Sequence, residues 1–208
     1  MKRFTGLLLA GVLVGAMFVS IPNGNSEESS PVEYMGAESC KKCHNGKVAD
    51  KGATFSAYDI WAGERHAKAY ETLGGEEAKK IAAEKGIEDP QKAEQCLKCH
   101  VTGYGMDAAV LGGAEGSKSK YSMEEGVSCE SCHGAGGKYV KALKDKKKLA
   151  GMEDGEEKDA LRASIGLKIP TEETCKACHN EESPNFKGFD FAEYVQKIAH
   201  PVYGEKSE

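Results

Sequence analysis

The chain has 208 residues, 39% of them hydrophobic, with 28 basic against 33 acidic residues and a formal net charge of −5. That length gives room for one compact domain, with few side chains to build its core. The acidic balance excludes nucleic acid as an expected partner.

The N-terminal stretch MKRFTGLLLAGVLVGAMFVSIP puts Lys2 and Arg3 ahead of an uncharged apolar run from Gly6 to Ile21, the layout of a secretory signal. About sixteen apolar residues fall short of the roughly 20 that a spanning helix needs. Residues 1–26 are therefore read as a signal peptide, with a small-x-small site at Gly24 and Ser26, which sends the protein to the periplasm or otherwise out of the cytoplasm. An uncleaved anchor is the alternative, and only then is a membrane a partner. Loss of Lys2 and Arg3 with the leader moves the net charge from −5 to about −7. Residues 27–208 follow as one domain.

Glu27 to Val32 is polar and proline-terminated, a lead-in. The spacing of Ala57, Ile60, Trp61, Ala67, Tyr70 and Leu73 predicts a helix over 56–73, with Ser56 as N-cap and Gly74 and Gly75 as its end. EEAKKIAAEKGI predicts a second, short helix closed by Gly86. The glycine-rich stretch 101–126 reads as loop. GGKYVKALKDKKKLAG and GEEKDALRASIGLKIP predict two more helices, the second stopped by Gly166 and Pro170. The last, FDFAEYVQKIAHP, places Phe191, Tyr194, Val195 and Ile198 on one side and ends at Pro201. No strand is predicted, so the fold class is mostly α with long loops.

Cysteine spacing carries the chemistry. Cys40, Cys43, Cys96, Cys99, Cys129, Cys132, Cys175 and Cys178 form CKKCH, CLKCH, CESCH and CKACH, four C-x-x-C-H motifs that use every cysteine. That is the signature of covalent c-type haem attachment: two thiols add across the two porphyrin vinyl groups, and the adjacent histidine coordinates the iron. A disulfide framework would use the cysteines equally well but gives no reason for the histidines. A closed zinc tetrahedron fits adjacent Cys and His poorly. A thioredoxin-like redox pair needs one such motif, not four. Four haems leave about 45 residues of protein for each, so the cofactors must supply much of the interior and the polypeptide wraps around them.

The histidines set a limit. His44, His100, His133 and His179 lie inside the motifs, and only His66 and His200 lie outside them. At most two of four irons can then carry histidine on both faces, and His66 and His200 are the expected distal ligands. Met35, Met106, Met123 and Met152 are the methionine candidates for the remaining faces. Lys138, Lys141, Lys144, Lys146, Lys147 and Lys148 form a basic island on the acidic chain, suited to an acidic partner, to haem propionates, or simply to solvent.

WAGERHAKAY, CLKCHVTGYG, GVSCESCHGAG and CKACHN together resemble the tetrahaem cytochrome c-554 family, over nearly all of the chain from Cys40 to about His200. The resemblance implies a periplasmic electron carrier with closely packed haem pairs. It implies that His66, in the H-A-K-A segment, is the distal ligand of the third haem, opposite His133, and that His200 matches a ligand on a late helix. Two departures stand out: GGKYVKALKDKKK lacks the family's histidine after the third motif, and KIPTEET lacks the one before the fourth. The first haem would thereby lose its histidine ligand. The family's five-coordinate second haem corresponds to the iron on His100. The spacer from His44 to Trp61 is longer than usual.

Three functions follow as expectations. The first is a carrier of single electrons between redox partner proteins. The second is an enzyme acting on a small nitrogen species such as nitric oxide at an open haem, which needs a proton donor the sequence does not locate. The third is a haem filament in which His200 is donated to the next subunit.

Overall fold

The computed structural model describes residues 32–46, 56–143 and 152–200. The leader, the Glu27 lead-in up to Pro31 and Lys144 to Lys148 lie outside the described residues. Among the described residues there is no strand, and no helix is long and apolar enough to cross a membrane.

The helices are short: α1 Ala37–His44, α2 Ala57–Gly63, α3 Ala69–Leu73, α4 Glu76–Glu84, α5 Glu94–His100, α6 Cys129–His133, α7 Gly137–Ala142, α8 Glu156–Ile165, α9 Glu172–Lys176 and α10 Phe191–Ile198. Two helix ends are set by capping residues. Asp190 accepts the Glu193 N–H at 2.9 Å and starts α10. Gly166, left-handed at φ 77°, ends α8 while the Leu167 N–H reaches back to the Arg162 carbonyl at 2.9 Å.

The helix expected over 56–73 is instead two helices joined by a 3-10 turn, His66–Lys68. The chain leaves α2 at Glu64 in extended conformation, and Ser56 makes no side-chain capping bond. Trp61 explains the break: its indole N–H donates to the Val127 carbonyl at 2.9 Å, and the Val127 N–H donates to the His66 carbonyl at 3.0 Å. The His66 carbonyl accepts the Ala69 N–H within the 3-10 turn and also the Val127 N–H from the backbone ahead of the third motif. Gly126 makes the approach possible, since a Cβ there would stand 2.7 Å from the His66 oxygen.

The side-chain core is small. Leu73, Leu97 and Val101 are buried together, with Tyr70, Cys96 and Tyr104 against them, and tie α3 to α5. Among the described residues the largest fully buried side chains are polar: Glu130 and Thr102 at 1% exposure and Ser128 at 2%.

Candidate functional site

All four motifs lie on short helices or run directly out of one, which the sequence reading did not foresee. On a helix, residues three and four apart share a face, so a C-x-x-C-H turn presents two sulfurs and an imidazole to the same side.

The first and third motifs meet through carboxylates. The Glu130 side chain, inside CESCH, accepts the N–H groups of Met35 and Gly36, each at 2.8 Å, and of Gly136 at 2.6 Å. Glu125 accepts the Ala37 N–H at 2.9 Å. The Met35, Gly36 and Ala37 donors lie at the start of α1 and the Gly136 donor at the start of α7, Gly137–Ala142, where helix geometry leaves N–H groups without a partner; a carboxylate makes the stronger, charge-assisted kind of bond. Thr102, Ser128 and Ser131 complete the joint: the Thr102 hydroxyl accepts the Ser128 N–H at 2.8 Å and lies 3.0 and 2.9 Å from the two serine hydroxyls. The thiols of Cys40 and Cys129 lie beside one another across it, with the Cys40 Sγ–H donating to the Gly36 carbonyl at 3.8 Å.

The second and fourth motifs are joined differently. α5 carries Leu97 into the apolar cluster, Lys98 pairs with Glu182 just beyond the fourth motif, and the Cys99 and Cys178 thiols lie side by side. Cys132 and Cys178 are also neighbours, which brings the third motif beside the fourth. Burial pushes the Cys132 thiol up to about 11; burial, with Cys99 alongside, pushes Cys178 up to about 12. All eight cysteines are free thiols in the structure.

The histidines fall into two cross-chain pairs. His66 faces His179, ring centroids 5.9 Å apart with planes at 74°, and His133 faces His200, centroids 5.9 Å apart with planes at 56°. When one metal takes an imidazole on each face with nitrogens about 2 Å away, the ring centroids lie about 6 Å apart. Burial lowers the pKa of His66, His133 and His179, keeping the imidazoles in the neutral, metal-binding form. The other ring nitrogen is fixed where a ligand histidine needs it fixed: His133 Nδ1 donates to the Lys168 carbonyl at 3.0 Å and His100 Nδ1 to the Ala69 carbonyl at 2.7 Å. His179 stacks on Phe189, centroids 5.1 Å apart. The residues present thus fit axial ligation of haem iron.

The pairing differs from the one the resemblance implies. The His66 ring faces that of His179, whereas the resemblance implies His133. Neither spare histidine is within an α-helix: His66 opens the 3-10 turn, and His200 lies two residues past the end of α10. His200, which a filament would donate to a neighbour, meets His133 of its own chain. Of the methionines, Met35 is buried while Met106 and Met123 are exposed. Of the basic island, Lys138 and Lys141 sit on α7.

Comparison with known proteins gives the same direction. The family described as "Cytochrome c554 and c-prime" matches residues 39–134. A protein of Nitrosomonas europaea named cytochrome c-554 is 30% identical over 190 residues, covering 88% of this chain and 72% of the relative. No solved structure matches the chain significantly. The chain therefore belongs to the cytochrome c-554 family, c-type cytochromes of electron transfer that carry covalently bound haem c.

Proposed function

We propose that the protein is an exported, periplasmic tetrahaem cytochrome that passes single electrons between redox partner proteins. Cys40 and Cys43, Cys96 and Cys99, Cys129 and Cys132, and Cys175 and Cys178 each attach one haem. His44, His100, His133 and His179 are the proximal ligands. His66 is the distal ligand of the fourth haem and His200 that of the third. The observation that carries this reading is the pair of imidazole spacings at 5.9 Å, each formed between a motif histidine and one of the two histidines outside the motifs.

The thiol contacts support an order for the row. Cys40 touches Cys129, Cys132 neighbours Cys178, and Cys178 touches Cys99. The haems then follow one another as first, third, fourth, second, with the two bis-histidine centres inside and the other two at the ends. When bound, haem supplies a one-electron iron couple whose potential its axial ligands and surroundings set. The polypeptide orients the imidazoles through Lys168, Ala69 and Phe189, and shields the inner pair by burial.

Haem stoichiometry from the intact mass of the exported protein, with pyridine haemochrome absorbance, tests the attachment. Four haems per chain are expected; two or fewer would overturn the reading. The histidine count favours a second activity at the ends of the row, binding of a small nitrogen ligand. Nitric oxide added to the reduced protein should alter the spectrum of an end haem, and an unchanged spectrum would leave electron transfer alone.

A further inference from the structure

We propose that Glu125 is a proton-accepting site linked to electron entry at the haems held beside it by Cys40 and Cys129. This rests on the haem attachment proposed above.

The two carboxylates of the joint are held differently. Glu130 is fully enclosed, but three N–H donors on its oxygens favour its charged form and oppose the rise in pKa that burial causes. Glu125 has one N–H, from Ala37, on Oε2; its Oε1 is buried with no hydrogen-bond partner. A buried carboxylate oxygen left without a donor makes the charged form costly, and a proton relieves that cost. Burial accordingly raises the Glu125 pKa above the usual carboxylate range, the Ala37 N–H and Ser128 opposing it.

The groups that face Glu125 make it sensitive to added negative charge. From α6 come Glu130 and Cys129, from α1 Glu38 and Cys40, and from the loop ahead of it Tyr121. None is a cation. Both neighbouring cysteines are attachment points, so an electron at either haem places negative charge close to a carboxylate that already shares its surroundings with two others. Glu125 then takes one proton from solvent as ferric iron gains one electron from a one-electron donor protein to become ferrous. It returns the proton when the electron leaves. Charge is conserved in each direction, and the linkage is reciprocal, so a bound proton raises the potential of the adjacent haem. Glu125 is a positioning residue for charge, since it touches no iron.

The test is a spectroelectrochemical titration of the full-length holoprotein at several values between about pH 5 and 8, bracketing a raised carboxyl pKa. One proton per electron shifts the equilibrium tenfold per pH unit, about 59 mV for a one-electron couple. We expect at least one of the four couples to fall toward that slope in the wild type, Glu125→Gln to flatten it, and Glu130→Gln to raise the midpoint while keeping the slope. A wild type without slope, a Glu125→Gln variant that keeps it, or a Glu130→Gln variant that abolishes it would overturn the proposal. Redox-difference infrared spectroscopy of the wild type needs no variant: a carboxylic acid band should appear on reduction and shift in heavy water, and its absence counts against Glu125. Peptide masses lacking haem at Cys40 and Cys43 or at Cys129 and Cys132 would overturn the attachment itself. Full haem content with unshifted potentials would overturn the proton linkage alone.

Discussion

The joint between the first and third motifs and the joint between α3 and α5 do the same task with opposite materials. The first is built from Glu125, Glu130, Thr102 and Ser128, and the second from Leu73, Leu97 and Val101. Both hold an attachment helix in place. Apolar packing is graded, because each methylene adds a little. A buried polar joint depends on complete satisfaction, because each partner removed strands another. The polar joint should therefore fail more abruptly.

Glu130→Ala should give the largest loss. It strands three buried N–H groups, at roughly 4 kcal/mol in all given the cost of each unpaired donor. Chemical denaturation of the holoprotein followed by circular dichroism measures it, and a loss below that of Leu97→Ala would break the comparison. Leu97→Ala, at a site 4% exposed, should cost about 3 kcal/mol. Trp61→Phe keeps the ring and removes only the bond to the Val127 carbonyl, a loss of about 1 kcal/mol. Its more telling readout is the low-spin signal of the fourth haem, which should weaken as the His66 turn loosens.

The smallest effect concerns pH. Glu125 and Glu130 both have pKa values raised mainly by burial. Their contribution to stability is fully present below the unfolded carboxyl pKa of about 4.3 and is lost as pH rises through the folded value. Glu125→Gln removes one of these terms. Its melting temperature relative to the wild type should rise from about pH 4 to 7, and a relative fall would contradict the assignment.

Legibility in the sequence followed the range of the interactions. The motif residues, the helix stop at Gly166 and the absence of strands in the described residues were readable because they depend on near neighbours in the chain. So was the count of six histidines, which bounds the ligand set. The break in 56–73 was not readable, since the groups that bend it, the backbone of Gly126 and Val127, lie some 60 residues on. Glu130 was missed for a related reason: its donors are backbone N–H groups up to 95 residues away, and every residue except proline has one. The only trace is glycine at Gly36 and Gly136, where a Cβ would crowd Lys120 in the first case and the Glu130 carboxylate in the second.

The central claim is two inner haems with histidine on both faces and two outer ones without. Low-temperature EPR combined with near-infrared magnetic circular dichroism of the oxidised full-length protein counts these centres directly. The account predicts two bis-histidine low-spin signals, one lost in His66→Ala and the other in His200→Ala, with all four haems still attached. Three or four bis-histidine centres, or a His66→Ala spectrum identical to the wild type, would contradict it.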